Sequence, residues 1–248
     1  MEGKTLKFGG MTREPDVRML KDMEAVIWDQ KWLETADNFP LYFMYRDLRL
    51  EQHREVIGEH DVRYDITVIP PNRLGPEYVK TKGHYHPEAA DGVSYPEIYE
   101  VIQGTGHFLM QKREDGSITD VIVVEGGAGD KIVIPPNYGH ITINPGAGPL
   151  KMANWVSSRF ESIYGDIEEK QGGAYYETVH DEFKQNDSYD EVPELRWMRP
   201  APVPEFGITP DRPMYRMIED PENLRILNTP ERFDWVFEKA LQETSDPR

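Results

Sequence analysis

Residues 81–106 read TKGHYHPEAADGVSYPEIYEVIQGTG, and this stretch contains two histidines, His84 and His86, with one tyrosine between them. Because alternate side chains of a strand point to the same face, a strand here would aim both imidazoles in one direction. Glu97 and Tyr99 have the same two-residue relation in the next apolar run. The stretch therefore predicts two strands joined by a long hairpin loop, with two imidazoles, a carboxylate and a phenol on a shared face.

Short β-rich runs surround this stretch. From about residue 62 to 157, apolar and β-branched runs alternate with Gly, Pro, Asp and Asn. Short runs at this spacing indicate a β-sandwich or β-barrel rather than alternating α/β layers. The runs are VRYDITVIP (62–70), EYVKTKGHYH (77–86), EIYEVIQG (97–104), GHFLMQK (106–112), ITDVIVVEG (118–126), KIVIPP (131–136), GHITIN (139–144) and KMANWVS (151–157).

The two ends of the chain have other patterns. Roughly helical spacing of Val17, Leu20, Met23 and Val26 predicts one or two short amphipathic helices in residues 15–35. The proline-rich segment 194–215 is expected to be neither helix nor central strand, and to lie extended on the surface.

A final helix is predicted near the C-terminus. Thr229 and Pro230 are suited to its N-cap and first position, and its apolar stripe would pack on the barrel or on a partner subunit. The stripe consists of Phe233, Val236, Phe237, Ala240 and Leu241. We therefore divide the chain into an N-terminal extension (1–61), a barrel (62–176) and a C-terminal extension (177–248).

Composition limits the classes of function. The 248 residues include no cysteine, which excludes disulfides, zinc–thiolate sites and a thiol nucleophile. A formal net charge of −17 opposes non-specific binding to nucleic acid or to anionic membranes. The first residues have no signal-peptide pattern, and no apolar run approaches the roughly 18 residues that a membrane helix needs. We therefore expect a cytoplasmic protein without a nucleic-acid or membrane partner.

A third histidine, His140, begins another short run. Three imidazoles and one carboxylate suit a borderline divalent metal such as iron, manganese, nickel or zinc, with positions left for water or substrate. A His-x-His pair alone is weak evidence for metal, but the wider spacing strengthens it. The spacing is His84-x-His86-x10-Glu97-x6-Gly104, followed by Gly129-x5-Pro135-x4-His140-x3-Asn144.

These residues resemble the two signature motifs of the cupin superfamily, small jelly-roll β-barrels that hold a metal with three histidines and a glutamate. The flanking sequence is similar, more narrowly, to the cupin-type glucose-6-phosphate isomerases first known from archaea. The similar segments run in order over about residues 17–173. They are VRMLKDME (17–24), ITVIPPNRLGPEYVKTKGHYHPE (66–88), EIYEVIQGTGHFLMQ (97–111), PPNYGHITIN (135–144) and YGDIEEKQGG (164–173).

The resemblance implies an isomerase that interconverts glucose 6-phosphate and fructose 6-phosphate with one divalent metal ion per subunit, iron before manganese, nickel or zinc. It also implies a homodimer, since cupins commonly pair by strand exchange. The implied metal ligands are His84, His86, Glu97 and His140. The implied phosphate pocket consists of Tyr42, Thr67, Thr81 and Gly83.

The implied reaction moves a hydrogen between C1 and C2 of the sugar. A Lewis-acidic metal would stabilise an enediolate-like state, and Glu97 is the first choice for the base, with Tyr99 positioning or polarising the substrate. A glutamate engaged by a metal is a poorer base, so a metal-assisted hydride shift is the alternative route.

Some residues depart from the family pattern. Val156 and Ser162 stand where a tyrosine and a histidine are expected, so either Tyr164 and Arg159 take over substrate contacts or the activity is altered. Asn137 replaces an expected aromatic residue. Two rivals stay open: another cupin metalloenzyme, such as a different sugar-phosphate isomerase or epimerase or an Fe(II) oxygenase, and a non-catalytic sugar-phosphate-binding protein.

The loop 87–96 is longer than is usual in the family. Its acids Glu88 and Asp91 are alternative metal ligands, although solvated loop positions fit them better. Strand alternation places Lys80 and Lys82 on the face opposite Thr81, where we expect them to be solvated.

Overall fold

Strands dominate the computed structural model, which describes residues 5–180 and 182–244. Residues 1–4 and 245–248, at the ends of the two predicted extensions, and residue 181 lie outside the described residues. In chain order the strands are β1 (Leu6–Phe8), β2 (Met11–Arg13), β3 (Asp16–Met19), β4 (Pro40–Tyr45), β5 (Val62–Ile69), β6 (Arg73–Leu74), β7 (Glu77–Lys80), β8 (Glu88–Ala90), β9 (Val93–Ser94), β10 (Glu97–Gln103), β11 (Thr105–Glu114), β12 (Ser117–Gly127), β13 (Lys131–Ile134), β14 (Tyr138–Asn144), β15 (Leu150–Ser157), β16 (Tyr175–Glu177), β17 (Phe183–Gln185), β18 (Arg196–Pro200) and β19 (Leu241–Glu243).

The helices are short. The α-helices are α1 (Gln30–Leu33), α2 (Arg54–Glu59), α3 (Gly165–Glu169) and α4 (Asp234–Ala240). The 3-10 helices cover Leu20–Val26, Glu51–His53, Pro204–Phe206, Met214–Glu219, Pro221–Leu227 and Pro230–Arg232. Across the described ranges, no helix is both long and apolar enough to cross a membrane.

Two large sheets form the barrel. A six-stranded sheet has the order β13-β10-β15-β5-β4-β3, and a seven-stranded sheet has the order β19-β18-β12-β11-β14-β7-β6. The pairings within them are antiparallel except that of β12 with β18, which is parallel. The fold is the all-β cupin barrel that the sequence predicts; its division at residues 61/62 and 176/177 stays a prediction.

An apolar core joins the two sheets. Every second residue of the central strands points into it, and full burial of each large side chain contributes about 1.5–3 kcal/mol to stability. Its members include Tyr99, Val101 and Met152 of the six-stranded sheet, and Phe108, Met110, Ile122 and Val124 of the seven-stranded sheet. This core supports the polar inner positions of the same strands, where the candidate site lies.

The N-terminal helical prediction is wrong for its first residues. Asp16–Met19 is the edge strand β3, which pairs with β4, and a 3-10 helix follows over Leu20–Val26. Leu20, Met23 and Val26 are buried, and their three-residue spacing matches the period of a 3-10 helix. Val17 is 39% exposed on the edge strand.

The proline-rich segment is a strand in its first part, contrary to expectation. Arg196–Pro200 lies between β12 and β19. Proline enters only at Pro200, the last residue of the strand, so the earlier residues keep their backbone N–H groups for the sheet. Later prolines, such as Pro204 and Pro221, open 3-10 helices, where a missing N–H costs little.

The C-terminal extension covers the outer face of the six-stranded sheet. Thr229 and Pro230 open a 3-10 turn, although Thr229 makes no side-chain cap, and α4 follows from Asp234. The core of this face contains Tyr64, Ile66 and Trp155 of the sheet, with Met214, Leu224, Val236 and Phe237 of the extension. The final helix therefore packs on the barrel.

Candidate metal centre

Backbone pairing brings two of the predicted ligands side by side. His84 N donates to His140 O at 3.3 Å and His140 N donates to His84 O at 3.0 Å, a single bridge at the start of β14. Gly83 precedes this bridge with φ of +79°, a left-handed conformation that glycine adopts readily. The two imidazole rings lie 4.5 Å apart between centroids.

His86 and Glu97 complete the cluster. His86 Nε2 lies 3.1 Å from His84 Nε2 and 3.5 Å from Glu97 Oε2, and His140 Nε2 lies 3.2 Å from Glu97 Oε2. One potential ligand atom from each of the four residues lies within 4.8 Å of the others. The structure thus brings together all four predicted metal ligands.

The protonation of the cluster suits a cation. Burial lowers the pKa of His86 to about 4 and, with the neighbouring imidazoles, holds the pKa of His84 well below its usual range. His86 Nδ1 donates to Tyr95 O at 2.8 Å, which leaves the Nε2 lone pair facing the cluster. Nitrogen atoms of three imidazoles and an oxygen of one carboxylate converge within 4.8 Å of one another, so the residues fit a divalent metal ion.

Glu97 and Tyr99 have opposite pKa shifts. Burial alone would raise the pKa of Glu97, but hydrogen bonding and charge from His140 and His86 lower it overall. Burial and the Glu97 carboxylate hold the pKa of Tyr99 well above its usual range. Tyr99 therefore stays a protonated phenol, with its oxygen 3.3 Å from His140 Nε2.

A cavity of about 470 Å³ opens over the cluster. His140 is buried beneath it, while the other predicted site residues face it. Those that line the wall are Tyr42, Thr67, Thr81, Gly83, His84, His86, Glu97, Tyr99 and Tyr164. Thr81 Oγ1 accepts from Thr142 N at 2.9 Å and Tyr42 OH accepts from Lys82 N at 3.3 Å, so these hydroxyls are fixed at the wall.

Sequence reasoning missed one polar wall of this cavity. Arg46, Arg63, Asp65 and Asn154 also line it. Asp65 accepts from Arg63 Nε at 2.9 Å and from Asp47 N at 2.9 Å. Strand alternation could have identified two of these residues, because Arg63 and Asp65 share a strand face with Thr67. Asn154 follows from the strand pairing, since it is in register with both Asp65 and Tyr99.

The positions that depart from the family pattern differ in their access to the cavity. Val156 and Ser162 line it, as does Tyr164, whose ring lies 5.4 Å from that of His84. Arg159 instead pairs with Asp61 at 2.7 Å on the exterior. Of the two replacements considered, only Tyr164 lies where a substrate would contact it.

The expectation that the two lysines are solvated on the face opposite Thr81 is wrong for Lys82, which lines the same cavity as Thr81, and also for Lys80. Lys80 is buried, pairs with Glu77, and has its Nζ 4.6 Å from the centroid of the Tyr176 ring. A backbone bridge between Glu77 and Thr178 brings the segment after α3 over this face of β7, which removes it from solvent. Lys82 lines the cavity and pairs with Glu168.

The long loop forms a hairpin of β8 and β9 beside the site. Glu88 is exposed and accepts a hydrogen bond from Gly92 N at 2.8 Å, and neither it nor Asp91 belongs to the ligand cluster. Asn137 holds the hairpin: its N donates to Ser94 Oγ at 2.7 Å, and its Oδ1 accepts from Ser94 N at 2.9 Å.

The fold and this cluster define the class of protein: a cupin barrel with a His3Glu candidate metal centre. The family model described as glucose-6-phosphate isomerase matches residues 17–194. Glucose-6-phosphate isomerases of Thermococcus litoralis and Thermococcus gammatolerans are 30% and 31% identical to this chain over 158 and 156 residues, and each match covers 62% of this chain and 75% of the relative. The chain belongs to the glucose-6-phosphate isomerase family.

A more distant likeness exists among solved structures. A mutant of the oxalate decarboxylase of Bacillus subtilis has 17% identity and a TM-score of 0.36, and the match covers 53% of this chain and 30% of that chain. This likeness is too weak to add to the assignment.

Proposed function

We propose that this protein interconverts glucose 6-phosphate and fructose 6-phosphate and needs a divalent metal ion to do so. The observation that carries the proposal is the convergence of His84, His86, Glu97 and His140 at the floor of an open cavity, in a chain of this isomerase family. The related proteins named glucose-6-phosphate isomerase support the substrate.

The four clustered residues would hold the ion. Nitrogen and oxygen donors without a thiolate suit iron, manganese, nickel or zinc, and we propose iron as the native metal. When bound, the ion would act as a Lewis acid on oxygen atoms of the sugar.

Glu97 and Tyr99 would perform the proton chemistry. The lowered pKa of Glu97 keeps it ionised, so it can take a proton from one sugar carbon and return it to the next. Tyr99 remains protonated and would donate a hydrogen bond to a sugar oxygen as charge develops there. A hydride shift is the alternative. Solvent deuterium found at carbon after turnover in D2O would establish proton transfer, because a hydride shift introduces none.

The other end of the substrate needs donors for phosphate. Thr67, Thr81, Tyr42 and Tyr164 offer hydroxyls to the cavity, and Gly83 offers backbone without a Cβ. We propose that these residues form the phosphate pocket.

A coupled assay tests the proposal. The protein is treated with EDTA, and fructose 6-phosphate conversion is measured before and after addition of Fe(II), Mn(II), Ni(II) or Zn(II). We expect activity to vanish and to return with at least one metal, and His140→Ala to stay inactive while His180→Ala, at an exposed histidine, stays active. Folded wild-type protein without turnover under any of these metals would refute the proposal.

A non-catalytic sugar-phosphate-binding protein is the second candidate. Val156 and Ser162, which line the cavity at the departures from the family pattern, favour it because neither side chain can act as an acid or base near neutral pH. Such a protein would bind metal and fructose 6-phosphate without turnover. Another cupin metalloenzyme would show no conversion of fructose 6-phosphate and would act on a different substrate. A homodimer and a cytoplasmic location stay predictions.

A further inference from the structure

Arg18 lies beside the cavity wall at the predicted phosphate pocket. It is a residue of β3 and is in register with Tyr42 of β4. Its guanidinium carbon lies 6.0 Å from the centroid of the Tyr42 ring and 5.9 Å from that of the Tyr164 ring, and both rings line the cavity. The guanidinium group therefore sits against two tyrosines that face the substrate space.

Arg18 has no ion-pair partner among the residues that the structure describes. The ion pairs found in the described ranges do not include Arg18, and its Nε is buried without a hydrogen-bond partner. Asp22, the nearby acid, instead accepts a hydrogen bond from Met19 N at 2.9 Å. Burial disfavours the charged guanidinium, but interactions with Tyr42, Tyr164 and Asp22 more than compensate and the pKa of Arg18 is raised. Arg18 therefore stays charged.

The other cations at this cavity already have carboxylate partners. Arg63 pairs with Asp65 at 2.9 Å, Arg46 lies 3.5 Å from Asp65, and Lys82 pairs with Glu168. In a chain of net charge −17, long-range electrostatics do not attract an anionic ligand to the cavity. Arg18, which has no ion-pair partner and lies beside the wall against Tyr42 and Tyr164, supplies the attraction locally.

We propose that Arg18 recognises the phosphate group of the substrate and sets the preference for phosphorylated over unphosphorylated sugar. The inference rests on the proposed function, because that function places a phosphate among Tyr42, Thr67, Thr81 and Gly83. Those four residues offer neutral donors, whereas a guanidinium group offers a planar fork of charged donors that matches phosphate oxygens. Arg18 thus adds the positive charge that the neutral pocket lacks.

Equilibrium binding tests this assignment separately from turnover. Mn(II)-loaded protein is titrated calorimetrically with fructose 6-phosphate, with fructose and with inorganic phosphate, for wild type, Arg18→Gln, Arg18→Lys and Arg159→Gln. Arg159 is the matched control, since its guanidinium is exposed, pairs with Asp61 and lies outside the cavity wall.

We expect Arg18→Gln to weaken fructose 6-phosphate binding roughly 10- to 100-fold, the usual range for one hydrogen bond to a charged group. Binding of fructose and of Mn(II) should be unchanged, and inorganic phosphate should no longer compete with the sugar phosphate. Arg18→Lys should lose less affinity for fructose 6-phosphate than Arg18→Gln, because lysine keeps the positive charge and lacks only the planar set of guanidinium donors. Arg159→Gln should bind like wild type.

Several results would overturn the assignment: equal losses for fructose and fructose 6-phosphate, no loss for either, or wild-type protein that binds neither fructose 6-phosphate nor phosphate. If Arg18→Gln does not fold, Arg18→Lys decides, since wild-type discrimination in that variant contradicts a role for the guanidinium fork. Discrimination that depends on Arg18 in a protein without turnover would refute the isomerase proposal and leave the role of Arg18 standing. Turnover by the wild-type protein, together with wild-type binding of fructose 6-phosphate by Arg18→Gln, would support the isomerase proposal and refute the role of Arg18.

Discussion

Replacement of Gly83 by alanine tests how the backbone before His84 is held. Gly83 has φ of +79°, and a Cβ built on it would lie 2.5 Å from Ile141 Cγ1 and 3.1 Å from Ile141 Cδ1. The substitution therefore combines a strained backbone with an overlap in the core, directly before a predicted metal ligand.

The magnitude follows from these two contributions. A left-handed conformation costs a non-glycine residue roughly 1–2 kcal/mol, and overpacking of a buried site costs roughly 1–3 kcal/mol. Gly116→Ala is the matched control, because Gly116 has φ of +83° and nothing lies within 4 Å of its added Cβ. Both changes are Gly→Ala, so the effect on the unfolded chain cancels in the comparison. We expect Gly83→Ala to lose about 1–3 kcal/mol more than Gly116→Ala.

Urea unfolding of the metal-free proteins measures this difference in unfolding free energy. The comparison requires that the dependence of the unfolding free energy on urea concentration is the same in both variants. A titration with Mn(II) then reports on the centre. We expect weaker metal binding only in Gly83→Ala, because the backbone shift that relieves the overlap also moves His84. Equal unfolding free energies for the two variants would refute the reasoning, since they would mean that Ile141 accommodates the methyl group without cost.

Three further predictions concern other parts of the molecule. His107 donates to Glu177 at 2.8 Å and lies 3.3 Å from Glu125; burial disfavours its charged form, but these carboxylates raise its pKa. The stabilisation from these charged contacts of His107 is therefore complete below the unfolded pKa of about 6.5, and it is lost as pH rises through the higher pKa of the folded state. The free energy of unfolding of the wild type should fall over that pH window. His107→Gln should remove that slope, and equal slopes in urea unfolding at several pH values would contradict the assignment. Trp155→Phe deletes the bond from Nε1 to Met214 O (3.0 Å) and should destabilise the protein by at least about 0.5–1.5 kcal/mol in urea; an unchanged midpoint would show that this bond does not hold the extension. Asn137→Ala removes the two side-chain bonds to the β8–β9 hairpin, from Ser94 N at 2.9 Å and to Gly92 O at 3.1 Å, and should weaken Mn(II) binding through His86. An unchanged Mn(II) affinity in the titration would show that these bonds do not influence the candidate metal centre.

The barrel could be predicted from the sequence because its signals are local. Strands β10 to β15 have apolar residues at every second position and Gly, Pro or Asn at their ends, so both their type and their inward faces are readable. The ligands His84, His86 and Glu97 were predictable from their spacing, although the strand predicted through His84 and His86 is wrong: β7 ends at Lys80, and only the isolated bridges of His84 with His140 and of Tyr85 with Ile163 follow it.

Features that depend on distant pairing were not readable. Three-residue spacing fits both an α-helix and a 3-10 helix, so the sequence predicted short helices in residues 15–35 without the helix type that Leu20–Val26 adopts. The strand Arg196–Pro200 exists because β12 offers a parallel partner far back in the chain. Arg18 lies within the motif VRMLKDME, but its place at the cavity follows from the pairing of β3 with β4.

The long loop and the asparagine that departs from the family pattern belong to one structural unit. Asn137 has φ of +68°, which asparagine tolerates better than an aromatic residue, and its amide bonds Ser94 N and Gly92 O of the hairpin. The loop then passes Tyr95, whose carbonyl oxygen fixes the ring of His86. The same hairpin contacts Pro230–Arg232 of the C-terminal extension. Because outer contacts orient metal ligands, the bond from His86 to Tyr95 O is the point at which the long loop meets the candidate metal centre.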